Sequence, residues 1–292
     1  MTSFDPDDTT SFPPVPTAVQ VSAVVDPTVS SARGPQDALR VLRAHLVRML
    51  GQGGLRGPLA ALTALATAVG VSAVPVLRHV LDDRPPLDVA LRCADSAAFV
   101  VAAGWCLALV LDTAQAGRDG VCLTATTLVP RRRRLLLTHA GAAALLGAVA
   151  TAIASFLTGA AAGAVLLGGA GQAWTGRLLV GTLMATVSTA MLAAMAVAIG
   201  SLVRHPALAL LTLLVGWVAV PTAINSVGFL LPEGATTVTT TLAHLCPSTM
   251  GGRSVTGIDS PTALLANQAG LAAWTALMLW VADLMGSRRD LV

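Results

Sequence analysis

The sequence predicts an all-α polytopic membrane protein with six transmembrane helices and both termini on the inner side. Three observations carry this expectation. Of 292 residues, 54% are hydrophobic and only 11% charged, where soluble domains carry about 25% charged residues. The apolar residues are gathered into long runs, not spread at strand or one-sided helical spacing, and the mean hydropathy is +0.74. All eighteen basic side chains are arginine, and they crowd the connections between alternate runs.

Met1 to Arg33 is acidic and rich in Pro, Thr and Ser, with no apolar h-region of a signal peptide. Such a segment buries too little to offset its ordering entropy, so 1–35 is expected to be a disordered tail. Residues 36–56 form the next unit. Over Gln36 to Leu50, Leu39, Leu42, Leu46, Met49 and Leu50 share one face, with Arg40, His45 and Arg48 elsewhere. That pattern predicts an interfacial amphipathic helix lying on the membrane before the first span. Gly51 to Gly57 (GQGGLRG) ends it.

Residues 57–292 hold the six spans: Pro58 to Leu77, Ala94 to Leu111, Leu136 to Leu167, Leu178 to Val203, Ala207 to Leu231 and Thr262 to Met285. Each reaches or approaches the roughly 20 residues that cross a ~30 Å hydrocarbon core. The third is too long for one upright span, which predicts tilt or a helical extension beginning near the arginines. Gly159 and Gly163, and the small-residue run Gly141 to Gly147, predict close helix packing. Pro206 suits the first turn of the fifth span, and Pro221 within it predicts a kink. Past Pro221, Thr222, Asn225, Ser226 and Gly228 predict a broken, wettable outer end. Pro232 to Pro261 is then a long outer connection, with short helices near Thr236 to His244.

With the N terminus inside, thirteen arginines face the cytoplasm: Arg33, Arg40, Arg43, Arg48, Arg56, Arg118, Arg131 to Arg134, Arg204, Arg288 and Arg289. Five remain outside: Arg78, Arg84, Arg92, Arg177 and Arg253. In the first outer loop, Asp82, Asp83, Asp88 and Asp95 offset them. The bias sets the orientation of a multi-pass chain in contact with lipid, both termini inside, and the membrane is expected to be the plasma membrane.

The composition also excludes functions. With no lysine, a Walker A loop or a Schiff base cannot be assembled. No basic stripe interleaved with aromatics exists, so nucleic acid is not an expected partner. Cys93, Cys106, Cys122 and Cys246 show no CxxC pair or metal spacing, and five histidines are scattered over loops and span ends. No catalytic, cofactor or metal constellation emerges, and the chain is not expected to be an enzyme. Asp112 and Asp283 fall at inner span ends, where acids serve a proton path or, more often when isolated, are helix-end groups.

The segment Gly117 to His139, GRDGVCLTATTLVPRRRRLLLTH, stands out. Gly117 to Gly120 ends the second span, Val121 to Leu128 has the length of a short surface helix, Pro130 stops it, and Arg131 to Arg134 anchor the third span at the phosphate layer. On charge alone the block is a topology signal. The stretch also resembles the conserved loop of ABC type-2 transporter permeases, actinobacterial ones especially, whose pattern runs approximately E-Y-R-x-G-T, about eight residues, P-x-x-R, a few apolar residues, then K. Arg118, Gly120, Pro130 and Arg131 to Arg134 fit it, with His139 near the usual Lys. The chain departs at the acid, where Ala116 or Gly117 stands, and at the Thr, where Val121 stands. Ala198 to Pro206 (AIGSLVRHP), Leu230 to Pro232, Leu245 to Pro247 and Ser287 to Asp290 (SRRD) are similar to further family segments.

The resemblance implies the membrane subunit of an ABC exporter, and a largely apolar path favours an amphiphilic or lipophilic substrate over an ion. It implies a second permease copy, identical or not, and a separate ATP-binding subunit that holds ATP and Mg. Arg118, Gly120, Val121, Leu123, Pro130 and Arg131 are the implied coupling residues. Trp105, Thr222 and Asn225 are candidates to line the path. Two other classes compete. An ion-coupled secondary transporter calls for paired intramembrane acids and two related halves. A non-transporting membrane scaffold or immunity protein calls for no ATPase partner.

Overall fold

A computed structural model of the chain describes residues 35–51, 55–81, 83–118, 132–168, 172–203, 205–230, 239, 241–252 and 260–289. Every regular element among them is helical. Six units are long and apolar enough to cross a membrane. They are α2 (Arg56–Val80), α3 (Pro86–Arg118), α4 (Arg132–Leu167), α5 (Gln172–Leu202), a composite fifth span, and α9 (Pro261–Arg289). The fifth span joins α6 (Pro206–Leu214), a π-helical turn (Val215–Ala219) and α7 (Val220–Leu230). A separate helix, α1 (Pro35–Gly51), precedes them, and a short one, α8 (Pro247–Gly252), lies between the fifth and sixth spans. The chain is a multi-pass membrane protein: apolar helices of this length satisfy their backbone internally and are at ease in lipid.

Two departures from the sequence expectation bear on the site. α3 begins at Pro86, well before Ala94. Pro86 suits a first helical turn, where its missing N–H has no partner to lose, and Asp88 faces the positive end of the helix dipole. Val89, Ala90 and Leu91 are buried there, but Asp88, Arg92 and Asp95 dilute the local hydropathy. Arg92 and Asp95 are therefore helix residues, not loop residues. The second difference is at Pro221. The helix does not break beyond it but widens before it, the Val220 N–H reaching back to the Val215 carbonyl. A π-turn makes room for the proline ring and reassigns the carbonyls it leaves without a donor. α7 then continues to Leu230, with Thr222, Asn225 and Ser226 exposed.

The long third stretch is one continuous helix starting at Arg132, the extension anticipated from its length. Its 36 residues span about 54 Å at 1.5 Å per residue. α3 has 33 residues, about 50 Å.

Helices α3, α4 and α5 form the centre: 56%, 44% and 67% of their spanning windows are buried, against 17% for α2, the fifth span and α9. Lipid tails are as apolar as leucine, so helices associate in membranes by close packing and internal hydrogen bonds. The trio uses both. The indole N–H of Trp105 on α3, wholly buried, donates to the Ala143 carbonyl of α4 at 2.9 Å. Gly147, one turn on, makes that approach feasible, since a Cβ there would stand 2.5 Å from Trp105 Cδ1 and 3.4 Å from Thr189 Cγ2. Thr151 on α4 bonds Thr189 on α5 at 3.1 Å. Nearer the other end, Gly159 faces Leu178 and Ala94, so α3, α4 and α5 close again over a missing side chain. α9 attaches to α5 through Gln268 Nε2 donating to Ser188 Oγ at 2.8 Å and Thr275 Oγ1 donating to the Met191 carbonyl at 3.3 Å.

α1 packs on the bundle through part of its expected face. Met49 is buried, and Leu42 and Leu46 lie against the core. Leu39, Val47 and Leu50 are exposed. The tail before Pro35 lies outside the described residues.

Gly147→Ala should force the indole off its carbonyl. Overpacking of this kind costs about 1–3 kcal/mol, visible as earlier thermal unfolding in detergent. Gly176→Ala, where an added Cβ meets nothing within 4 Å, should leave the transition unchanged.

Candidate functional site

One end of the bundle gathers most of the described arginines. Four cross-helix contacts define it. Arg133 Nε at the start of α4 lies 3.9 Å from Asp283 Oδ2 near the end of α9. The ring of His45 on α1 stacks on His139 of α4, with centroids 5.3 Å apart and planes 11° from parallel. Arg48 of α1 acts electrostatically on Asp112 near the end of α3. Near the end of α5, an added Cβ at Gly200 would stand 2.8 Å from Thr113 Cβ and 3.0 Å from the Val110 carbonyl. The ends of α3, α4, α5 and α9 thus meet beneath α1, and a cavity of about 50 Å³ beside Leu136, Ser201 and Asp283 lies among them. Asp283, expected as a lone helix-end group, has an arginine partner from the RRRR block. The pair is largely solvent-exposed, so it contributes little to stability.

α3 runs through Arg118 and α4 starts at Arg132. The segment between them joins the two longest helices of the bundle. Gly120, Val121, Leu123, Pro130 and Arg131, with the short helix expected over Val121 to Leu128, lie outside the described residues.

The three candidate path residues are not brought together. Trp105 has no exposed surface, and its indole is engaged inside the α3–α4–α5 core. Thr222 and Asn225 are exposed on α7. Thr222 lines an open apolar groove of about 570 Å³ with Leu214, Val215, Val218, Ala219, Ala223 and Ser226. All of these belong to the fifth span, so the groove has one wall.

A residue that sequence reasoning passed over sits in the other half of the bundle. Asp95 projects from α3 into a cavity between α3, α5, the π-turn and α8, lined also by Phe99, Ser188, Thr189, Trp217 and Ser248. Its signal in the sequence was its position: Pro86 could start the helix, which places Asp95 more than two turns inside. Cys93, Cys106 and Cys246 are buried free thiols.

No family model matches this chain, and no curated protein matches it.

The histidine stack gives a pH expectation. Burial first, and the charge of Arg48 second, hold His45 below the ordinary histidine value of 6.5. α1 therefore docks with a neutral His45, and a proton there sets a charge against the His139 ring and Arg48. The contribution to docking is present in full above about pH 6.5 and falls away as pH drops from there through the lowered docked value. Pulsed EPR between spin labels at Val47 and Val165 should show a single distance at pH 7.5 and a broadened one at pH 5. A His45→Gln variant should lose most of that pH response.

Proposed function

We propose that the chain is the permease subunit of an ABC transporter, an exporter that couples ATP hydrolysis by a separate ATP-binding subunit to movement of an amphiphilic or lipophilic substrate. On this reading the arginine-bearing end is cytoplasmic in the plasma membrane, with the N and C termini inside. The observation that carries the proposal is the α3–α4 pair. Both helices are about 20 Å longer than the hydrocarbon core, and both belong to the buried centre of the bundle. The segment that joins them lies at the arginine-rich end and holds the residues that resemble a permease coupling loop. A push on that segment is delivered through two rigid rods to the middle of the protein.

In this scheme Arg118, Gly120, Val121, Leu123, Pro130 and Arg131 receive the ATP-binding subunit, which holds ATP and Mg²⁺. Closure of the ATPases biases the permease between two states, because the partner contacts the two states differently. The single-walled groove on the fifth span supports a second permease copy, identical or related, whose surface supplies the opposite wall. Thr222 and Asn225 then face the pathway between copies, while Trp105 serves as the packing centre behind it.

The test is co-expression with a candidate ATP-binding subunit, followed by affinity purification. The pair should copurify with ATPase activity stimulated over the isolated subunit. Val121→Asp with Leu123→Asp should abolish both while leaving the permease folded in the membrane. Copurification and stimulation undiminished in that double variant would sink the docking site. Transport that persists without the ATPase and collapses with an uncoupler would favour an ion-coupled carrier instead.

A further inference from the structure

Asp95 is the only acidic side chain among the described residues lining this cavity, and it lies within a helix long and apolar enough to cross a membrane. Among the described residues Asp95 makes no hydrogen bond and no ion pair; Arg92, one turn earlier on the same helix and exposed, is the cation that acts on it. Carboxylates within membrane spans are costly unless paired, and they mark functional sites by default. Two further polar atoms in the lining are buried without a hydrogen-bond partner, Trp217 Nε1 and Ser248 Oγ. Buried polar atoms are nearly always partnered, so the Ser248 hydroxyl oxygen beside the Asp95 carboxylate calls for a donor, whereas the Trp217 N–H is itself a donor and takes no part in that demand. The other lining hydroxyls are already engaged: Thr189 with Thr151, and Ser188 with Gln268.

Size and chemistry narrow the occupant. The cavity measures about 20 Å³, room for one water-sized group. Asp95 is its one ionisable side chain, and Phe99 and Trp217 are among the lining residues; aromatic rings attract cations. Phe99 is 54% exposed, so it offers an apolar tail a path out along the bundle surface. We propose that this cavity binds the primary ammonium group of an amphiphile, paired with Asp95 and accepted by Ser248 Oγ, with the tail leaving past Phe99. An ammonium head is water-sized and fits; a trimethylammonium head is several times larger and does not. That the amphiphile is a transported substrate rests on the exporter reading, whereas its binding does not.

The probe is radiolabelled dodecylamine, added to the full chain in phosphatidylcholine nanodiscs without any ATPase, with empty nanodiscs as background. Saturable binding is expected, displaced by unlabelled dodecylamine and not by dodecyltrimethylammonium or dodecanol. Asp95→Asn should weaken it on the order of tenfold or more, since removing one partner of a buried charge pair leaves the other unpaired. Asp88→Asn, on the same helix but outside the cavity, should leave it unchanged. If Asp95→Asn proves unstable, Ser248→Ala and Phe99→Leu provide the loss of affinity in a folded protein. Nanodiscs containing phosphatidylethanolamine separate the two sources of the same chemistry. Displacement of dodecylamine by that lipid assigns the site to a lipid headgroup, and no displacement assigns it to a free amphiphile. Absence of saturable binding, equal binding by folded Asp95→Asn, or equal competition by the trimethylammonium compound would overturn the proposal. Because no ATPase is present, each of those results leaves the docking experiment on Val121 and Leu123 to be decided separately.

Discussion

The indole of Trp105 resting on the α4 backbone is the contact around which the bundle is arranged. Its N–H needs an acceptor once it is taken out of water, and within the membrane no solvent can supply one. The Ala143 carbonyl meets that need only because Gly147 leaves the helix surface bare at the next turn. Thr189 closes the same spot from α5 and ties to Thr151 on α4. Three helices are thus fixed at one level by a donor that must be satisfied, a side chain that must be missing, and a hydroxyl pair. The apolar surfaces around them are mostly Ala and Gly, which add close contact but little direction. The peripheral spans then attach to this centre one at a time, α9 by two polar contacts to α5 and α2 by Gly70 and Gly104, which face Thr158 and Leu62 respectively.

Span number, span order and the continuous Arg132–Leu167 helix were legible in the sequence because they depend on run length, a property of neighbours along the chain. What run length cannot tell is which side of a helix faces inward. Trp105 was equally compatible with a path and with a core, and the choice depends on Gly147, forty-two positions away along the chain. α1 shows the same limit: five apolar residues share a face, but the bundle takes only Leu42, Leu46 and Met49, and leaves Leu39 and Leu50 outside. Asp95 was hidden by averaging. Three charged residues within two turns lowered the hydropathy of a stretch that is nonetheless helical, so an intramembrane acid passed for a loop residue. The segment between Arg118 and Arg132 is the reverse case. It was conspicuous in the sequence through its arginines and its likeness to a permease loop, and its interior lies outside the described residues.

Helix α3 links these observations physically. It carries Asp95 toward one end, Trp105 at the middle and Arg118 at the other. A helix packed over its whole length against two neighbours moves as a unit, because interiors at crystal-like density do not deform continuously. On the exporter reading, a displacement that starts beyond Arg118 is registered at the Asp95 cavity without any chain of intermediate contacts. The same rod would report in the opposite direction, since coupling between two binding events is reciprocal.

The π-turn of the fifth span has a consequence for how this protein varies. A helix in which Val220 bonds five residues back, not four, carries one residue more than its length requires. Each α-helical residue advances the surface by about 100°, so the surplus residue rotates all of α7 relative to α6. Trp217 consequently faces the bundle while Thr222 and Asn225 face away from it. Loss of a single residue between Val215 and Ala219 would leave the span long enough to cross and just as apolar, yet turn its outer half to present a different set of side chains to whatever lies beside it.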